Sequence, residues 1–166
     1  MFEFEIKEAQ AQDIGQICDI YAASVASETA SWEYDAPSVA EMKSRYNAIK
    51  NDNFPYFVAK LGGKVLGFAY ANHYRTRIGY RFCVEDSIYI DDAYKGHGIG
   101  KALLVALIDD CRKRGFKQMI AVIGDSENKA SIALHEKCGF VHIGTLPEIG
   151  YKFDKWLDSV IMQLKL

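Results

Sequence analysis

One short stretch limits what this chain can become: Val84-Glu85-Asp86-Ser87-Ile88-Tyr89-Ile90, followed closely by Lys95-Gly96-His97-Gly98-Ile99-Gly100-Lys101. In the first part Ile88 and Ile90 fall on one side of an alternating run, and Ser87, Tyr89 and Asp91 on the other, which is the period of a strand. From Ile99 onward, Leu103, Leu104, Leu107, Ile108 and Cys111 recur at the three-and-four spacing of one helix face, up to Arg114 and a stop at Gly115. The glycines therefore sit at a helix N-terminus, where backbone N–H groups lack internal partners and the helix dipole is positive. Glycine lets the backbone approach an anion without a Cβ in the way, so the turn suits a pyrophosphate. The same letters would also serve a turn that only joins strand to helix.

Two familiar phosphate-binding patterns fail on this stretch. A dinucleotide fingerprint needs its third glycine where Lys101 stands, and a Walker-type loop needs Gly at position 95 and Ser or Thr at Ala102. Composition narrows the partners further. With 166 residues, 49% hydrophobic and a net charge of −2, the chain is one domain's worth and can bury about two-thirds of its unfolded surface. No basic field is available to hold a nucleic acid.

The four cysteines, Cys18, Cys83, Cys111 and Cys138, contain no Cys-x-x-Cys pair, and only Cys138 has histidines, His135 and His142, at ligand-like spacing. Neither a metal nor a disulfide framework is expected. The N-terminal residues alternate like a strand and do not read as a signal peptide, and no apolar run approaches the ~20 residues that span a bilayer. A soluble, cytoplasmic protein without membrane partners is expected.

Read in order, the chain alternates elements. Phe2, Phe4 and Ile6 share a face of a first strand, and a helix follows from about Ala11 to Ala26. Ser31 to Pro37 is irregular. A second helix starts at Ser38, with Glu41 completing a capping box, and ends near Asn51-Asp52-Asn53. Strands over Tyr56 to Leu61 and Val65 to Asn72 form a hairpin on Gly62-Gly63. Beyond the central strand and helix, Met119 to Ile123 reads as a strand buried on both faces and parallel to its neighbour. A short helix over Asn128 to Lys137 precedes Gly139; Phe140 to Gly144 reads as one closing strand, and Val160, Met162 and Leu164 share a face of another.

The loop Lys95-Gly96-His97-Gly98-Ile99-Gly100 resembles the acyl-coenzyme A loop of the GNAT superfamily of N-acetyltransferases, Gln/Arg-x-x-Gly-x-Gly/Ala, with Lys95 where that family has Gln or Arg. The runs Val84 to Ile90 and Gly150 to Asp158 are similar to the phosphinothricin and methionine sulfoximine acetyltransferase branch. The resemblance covers nearly the whole chain and implies one acetyltransferase domain over residues 1–166. Its α/β (α+β) fold would have a mixed central sheet of about seven strands, a splayed central pair and about four flanking helices. It further implies acetyl-CoA as co-substrate, no metal and a homodimer.

The resemblance also assigns roles. Main-chain groups of Ile88, Tyr89 and Ile90 would pair with the pantetheine, while Lys95, Gly96, His97, Gly98, Ile99, Gly100 and Lys101 take the pyrophosphate. Asn128 and Ser131 match an Asn-x-x-Ser pattern that contacts pantetheine or product, although Asn128 serves equally as a helix N-cap. Glu85 matches the acidic residue that deprotonates the amine, a requirement because a free α-amine has a pKa of about 8 and must be neutral to attack a thioester. Asp86 should point to the opposite strand face. His135 replaces the Tyr found in many superfamily members and is read as an acid, a second base or a structural residue. Arg75, Thr76 and Arg77, with Glu85, Asp86 and Ser87, would bind the amino-acid substrate, the arginines gripping its oxygens; exposed loop arginines can equally serve solvation alone.

The expected activity is acetyl transfer from acetyl-CoA to the α-amine of a small amino acid or analogue, such as phosphinothricin, methionine sulfoximine or methionine sulfone, in a ternary complex. The alternatives are acetylation of another amine, a polyamine or protein N-terminus, and a coenzyme A-binding module without turnover.

Overall fold

A computed structural model describes residues 2–166. Seven strands, β1 (Glu5–Glu8), β2 (Tyr56–Leu61), β3 (Lys64–His73), β4 (Cys83–Ile90), β5 (Gln118–Gly124), β6 (Val141–Lys152) and β7 (Lys155–Lys165), form one sheet in the order β1-β2-β3-β4-β5-β7-β6. Four helices flank it: α1 (Ile14–Ser27), α2 (Val39–Asn51), α3 (Ile99–Lys113) and α4 (Lys129–Lys137). All neighbouring strands are antiparallel except β4 and β5, which the α3 crossover makes parallel. This is the mixed, seven-stranded, four-helix architecture expected from the sequence.

The β4–β5 pairing is short. Cys83, Val84 and Glu85 face Gln118, Met119 and Ile120, and the ladder then stops although both strands continue. On its other side β4 stays paired with β3 through Ile90. The sheet thus splits from Asp86 onward.

Side-chain alternation along β4 assigns the two faces. Tyr89 meets Tyr21 of α1 edge-on at 4.9 Å, so Glu85, Ser87 and Tyr89 face α1. Asp86 meets His135 of α4, and the Ile90 side chain lies 4.0 Å from where a Cβ on Gly100 of α3 would sit, so the even residues face α3 and α4. The core follows the apolar stripes: Ile14, Ile17, Leu103, Leu104, Leu107 and Met119 are fully buried.

Local signals explain most boundaries. Ser38 Oγ accepts a hydrogen bond from the Glu41 N–H at 3.2 Å and starts α2, but the Glu41 carboxylate pairs with Arg45, so half of the expected capping box forms. Gly62 and Gly63 turn the β2–β3 hairpin with φ of +54° and +87°. The first helix opens on a 3₁₀ turn at Ala11–Asp13.

Two expectations are corrected. Strand β1 begins at Glu5, with Phe2 and Phe4 packed on the core ahead of it. Strand β6 does not end at Gly144 but runs to Lys152: register shifts between His142 and Gly144 and between Leu146 and Gly150 carry it past Pro147. Strand β7 inserts between β5 and β6, with Val160, Met162 and Leu164 buried on one face. No helix among the described residues is long and apolar enough to cross a membrane.

Candidate active site

The split opens into a cavity of about 720 Å³ lined from three directions. Glu85 to Ile90 of β4 and Ala121 to Gly124 of β5 form its floor, Gly96 and Gly98 to Lys101 one end, and Asn128, Ser131, Leu134 and His135 of α4 a wall.

Main-chain polarity follows from the ladder. The Asp91 N–H bonds to Leu66 O at 2.9 Å, and in an antiparallel pair alternate residues bond to the neighbour. Asp91, Tyr89, Ser87 and Glu85 therefore spend their backbone groups on β3. Those of Asp86, Ile88 and Ile90 point toward β5, where the ladder has stopped, and unpaired strand-edge groups of this kind accept an added extended ligand.

At the far end, Gly98 is the N-cap of α3 with φ of +82°, and Gly96 shares that φ. Both glycines face open space, and a side chain at either would be strained. The first intrahelical bond is Ala102 N–H to Gly98 O, which leaves the N–H groups of Ile99, Gly100 and Lys101 free at the positive end of a 15-residue helix. The Lys95 ammonium reaches Glu28 and Asp92. His97 stays outside the cavity and stacks on Phe2 with ring centroids 4.5 Å apart.

At the near end stands Glu85, half-buried in the cavity wall. Burial, with the charge of Asp86 adding to it, pushes its carboxyl up to about 7. Asp86 is buried on the opposite face, and its Oδ2 accepts from His135 Nε2 at 3.0 Å. His135 Nδ1 donates to Ser131 O at 2.8 Å. Burial alone would lower the imidazole pKa, but the Asp86 carboxylate and the Ser131 carbonyl outweigh it and hold the ring above its usual value. Both nitrogens are thus engaged as donors. Asn128 caps α4, its Oδ1 accepting from the Ser131 N–H at 3.2 Å, and also lines the cavity, so its two readings coexist.

Arg75, Thr76 and Arg77 are not brought to this cavity. They lie exposed on the loop before β4, and the Arg75 guanidinium sits over the Tyr74 ring at 5.2 Å.

In their place a wall forms from Glu28, Ala30, Ser31, Trp32 and Glu33, with Tyr21 behind; of these only Ser31 to Glu33 fall in the stretch expected to be irregular. Lys152, buried at the end of β6, pins this segment by donating from Nζ to Glu28 O at 2.8 Å and Ser31 O at 2.7 Å. Thr29 Oγ1 donates to Gly124 O at 2.8 Å. Trp32 packs so closely on Gly150 that a Cβ there would meet the indole at 2.0 Å. The signal for this wall was long-range: two glycines and one lysine far along the chain leave room for and hold a tryptophan segment, which no periodicity reports.

Among the described residues no group of three or more His, Cys, Asp or Glu side chains is arranged to hold a metal ion. What the arrangement offers is a slot with free backbone groups, an anion-binding helix end, and a carboxylate that exchanges its proton near neutral pH.

Residues 17–140 match the model of the Acetyltransferase (GNAT) family, and the chain belongs to that family. It is 46% identical over 154 residues to a phosphinothricin N-acetyltransferase of Alcaligenes faecalis, covering 93% of this chain and 78% of the relative. A second relative, the L-methionine sulfoximine/L-methionine sulfone acetyltransferase of Pseudomonas paraeruginosa, is 38% identical over 97% of this chain and 94% of its own. Among solved structures, the GNAT superfamily phosphinothricin acetyltransferase of Sinorhizobium meliloti in complex with AcCoA superposes with a TM-score of 0.95 at 44% identity, covering 98% of this chain and 88% of that one.

Proposed function

We propose that residues 1–166 act as one cytoplasmic acetyltransferase domain that moves the acetyl group of acetyl-CoA to the α-amine of a small amino acid or analogue of the phosphinothricin, methionine sulfoximine or methionine sulfone type, by direct attack in a ternary complex. One observation carries this reading: β4 and β5 part immediately after Glu85, so the carboxylate that accepts protons near pH 7 stands at the apex of the slot whose other end is the Gly98 helix terminus.

The residues fit acetyl-CoA. Main-chain groups of Ile88 and Ile90, beside Tyr89, would pair with the pantetheine, and the N–H groups from Gly98 to Lys101 would hold the pyrophosphate with Lys95 and Gly96 beside them. Asn128 and Ser131 would border the pantetheine. Acetyl-CoA supplies an activated acetyl thioester. Glu85 takes the amine's proton, directly or through a water, and its position near neutrality suits that work. The Ile88 N–H, preorganised in the slot, faces the negative charge that develops on the carbonyl oxygen. His135, with both nitrogens engaged, serves by holding Asp86; a thiol with an ordinary pKa of about 8.5 leaves with little help.

On the acceptor side, Ser87 and the 28–33 wall bound a small side chain. Arg75 and Arg77, flanking Thr76 on the exposed loop outside the cavity, would attract the acceptor's carboxylate and phosphinate or sulfoximine oxygens from a distance rather than grip them beside Glu85. A polyamine is disfavoured because, apart from Glu85, the acidic residues of the lining already have basic partners: Glu33 pairs with Arg45 at 2.8 Å, Glu28 with Lys95 and Asp86 with His135.

The working form is proposed to be a homodimer. Strand β6 is a sheet edge, and Val141, Ile143, Leu146, Ile149 and Trp156 of the β6–β7 ribbon are exposed, the apolar edge that a second copy would cover. Sedimentation at micromolar concentration should give twice the chain mass, and a monomer would refute the dimer.

Thiol release from acetyl-CoA tests the activity. Methionine sulfoximine, methionine sulfone or phosphinothricin should each raise it well above background. Release with spermidine alone would replace the amino-acid reading, and none with any amine would leave a binding module.

A further inference from the structure

Asp86 carries a feature that acetyl transfer as described does not use. Its side chain is 3% exposed, Oδ2 is held by His135, and Oδ1 is buried with no hydrogen-bond partner among the described residues. A buried acceptor left unpaired is costly, and here it stands one residue from the base, on the other face of the strand, where the β4–β5 ladder ends.

We propose that Asp86 is a positioning residue for Glu85: clamped from α4 by His135, it presents a buried carboxylate to the back of the strand that carries the base, and so holds and tunes Glu85 for taking the acceptor amine's proton. The inference rests on reading Glu85 as that base.

The geometry provides two effects. The Asp86–His135 contact ties the first unpaired residue of β4 to α4, so the backbone step carrying Glu85 is held where the strand would otherwise be free on one side. The charge acts as well. Two carboxylates one residue apart in a poorly solvated strand repel, and repulsion favours the protonated form of the one that faces the cavity. The His135 imidazole offsets the charge of Asp86 in part, through Oδ2, while Oδ1 has no donor of its own among the described residues.

Other groups face this pair of carboxylates. Around Glu85 stand Tyr70 of β3, Cys83 of β4, Tyr21 of α1 and Glu33 of the 28–33 wall; around Asp86 stand Cys111 of α3 and Cys138 beyond α4, with Lys101 and Lys137 at the cavity rim. Strand β5 contributes no titratable side chain. Burial pushes all three thiols up, and Tyr70 likewise, so none of them supplies a competing charge in the working range. The exposed lysines are screened by solvent.

The test is the pH dependence of kcat with methionine sulfoximine as acceptor, for wild type, Asp86→Asn, His135→Gln and Glu85→Gln, each checked for cooperative melting and for acetyl-CoA binding by calorimetry. In wild type kcat should rise through a limb centred near pH 7. Asp86→Asn should move that limb down by about one pH unit, which raises turnover at pH 6, relative to the variant's own plateau, roughly fivefold. His135→Gln should move it the other way, because the charge of Asp86 then stands alone.

A folded Asp86→Asn protein with normal acetyl-CoA affinity and an unmoved limb would overturn the proposal. If the limb vanishes in Glu85→Gln yet stands still in Asp86→Asn, only this inference falls; if it survives in Glu85→Gln, the reading of Glu85 as base falls first. Should Asp86→Asn fail to fold, ¹⁵N NMR of the wild-type imidazoles decides. His135 should titrate above a free imidazole with both nitrogens protonated, and a His135 that titrates at or below the free value would overturn the proposal.

Discussion

Glu85 and Asp86 are adjacent residues of one strand, both acidic, yet the two faces of β4 give them opposite surroundings. On the front face Glu85 meets an open cavity and tyrosines, has no basic partner among the described residues, and is pushed up to about 7 by burial and by its neighbour. On the back face Asp86 meets an imidazole that fixes one of its oxygens at 3.0 Å. A carboxylate's role is thus set by what the facing element brings to it. Here α4 brings His135 to the back, while α1 and the 28–33 segment bring aromatic and neutralised groups to the front.

The largest expected effect isolates the front face. Glu85→Gln should lower kcat by roughly 10²–10⁴-fold with acetyl-CoA binding near normal, and turnover within threefold of wild type would remove Glu85 from the chemistry. The second concerns the wall opposite it. Gly150→Ala places a Cβ 2.0 Å from the Trp32 ring, so Trp32 must move. A loss of about 1–3 kcal/mol in denaturant unfolding, with a raised acceptor KM, is expected, and an unchanged KM would show that the wall does not bound the acceptor.

On the back face, Gly98→Ala forces a side chain to φ of +82° at the start of α3. Strain of about 1–2 kcal/mol should weaken coenzyme A binding about tenfold by calorimetry, and no change would mean that the glycine does not shape the anion site.

The smallest effect returns to the front and has a sign. Glu85 binds its proton more tightly folded than at its ordinary value of 4.5. Its contribution to stability is therefore full below about pH 4.5 and is lost as pH rises toward about 7. Glu85→Gln should then be more stable than wild type at pH 8, by about 1 kcal/mol after allowing for solvent on its open side, and equal to it at pH 4. A constant difference across pH would contradict the raised carboxyl.

The same contrast explains what could be read from the sequence. Strand β4, helix α3, the glycine turn and the alternation that separates Glu85 from Asp86 are local patterns, and the β4–β5 ladder stops where a splayed pair was expected. Asn128 and Ser38 cap the helices assigned to them. Long-range features were not legible. Nothing near Trp32 announces that Gly124, Gly150 and Lys152 hold its segment across the cavity, and the continuation of β6 past Pro147 depends on register shifts against β7. The sequence leaves His135 open among acid, second base and structural residue because its partner, Asp86, lies 49 residues away.

Residue-resolved amide exchange of β4, with and without acetyl-CoA, tests the central claim most directly. If the slot holds the ligand by its free strand groups, the amides of Ile88 and Ile90 and those of Ile99 to Lys101 should become protected, while Ser87 and Tyr89, already bonded to β3, stay as they were. Exchange at Ile88 and Ile90 that acetyl-CoA leaves unchanged, at concentrations where heat of binding is measured, would contradict the account.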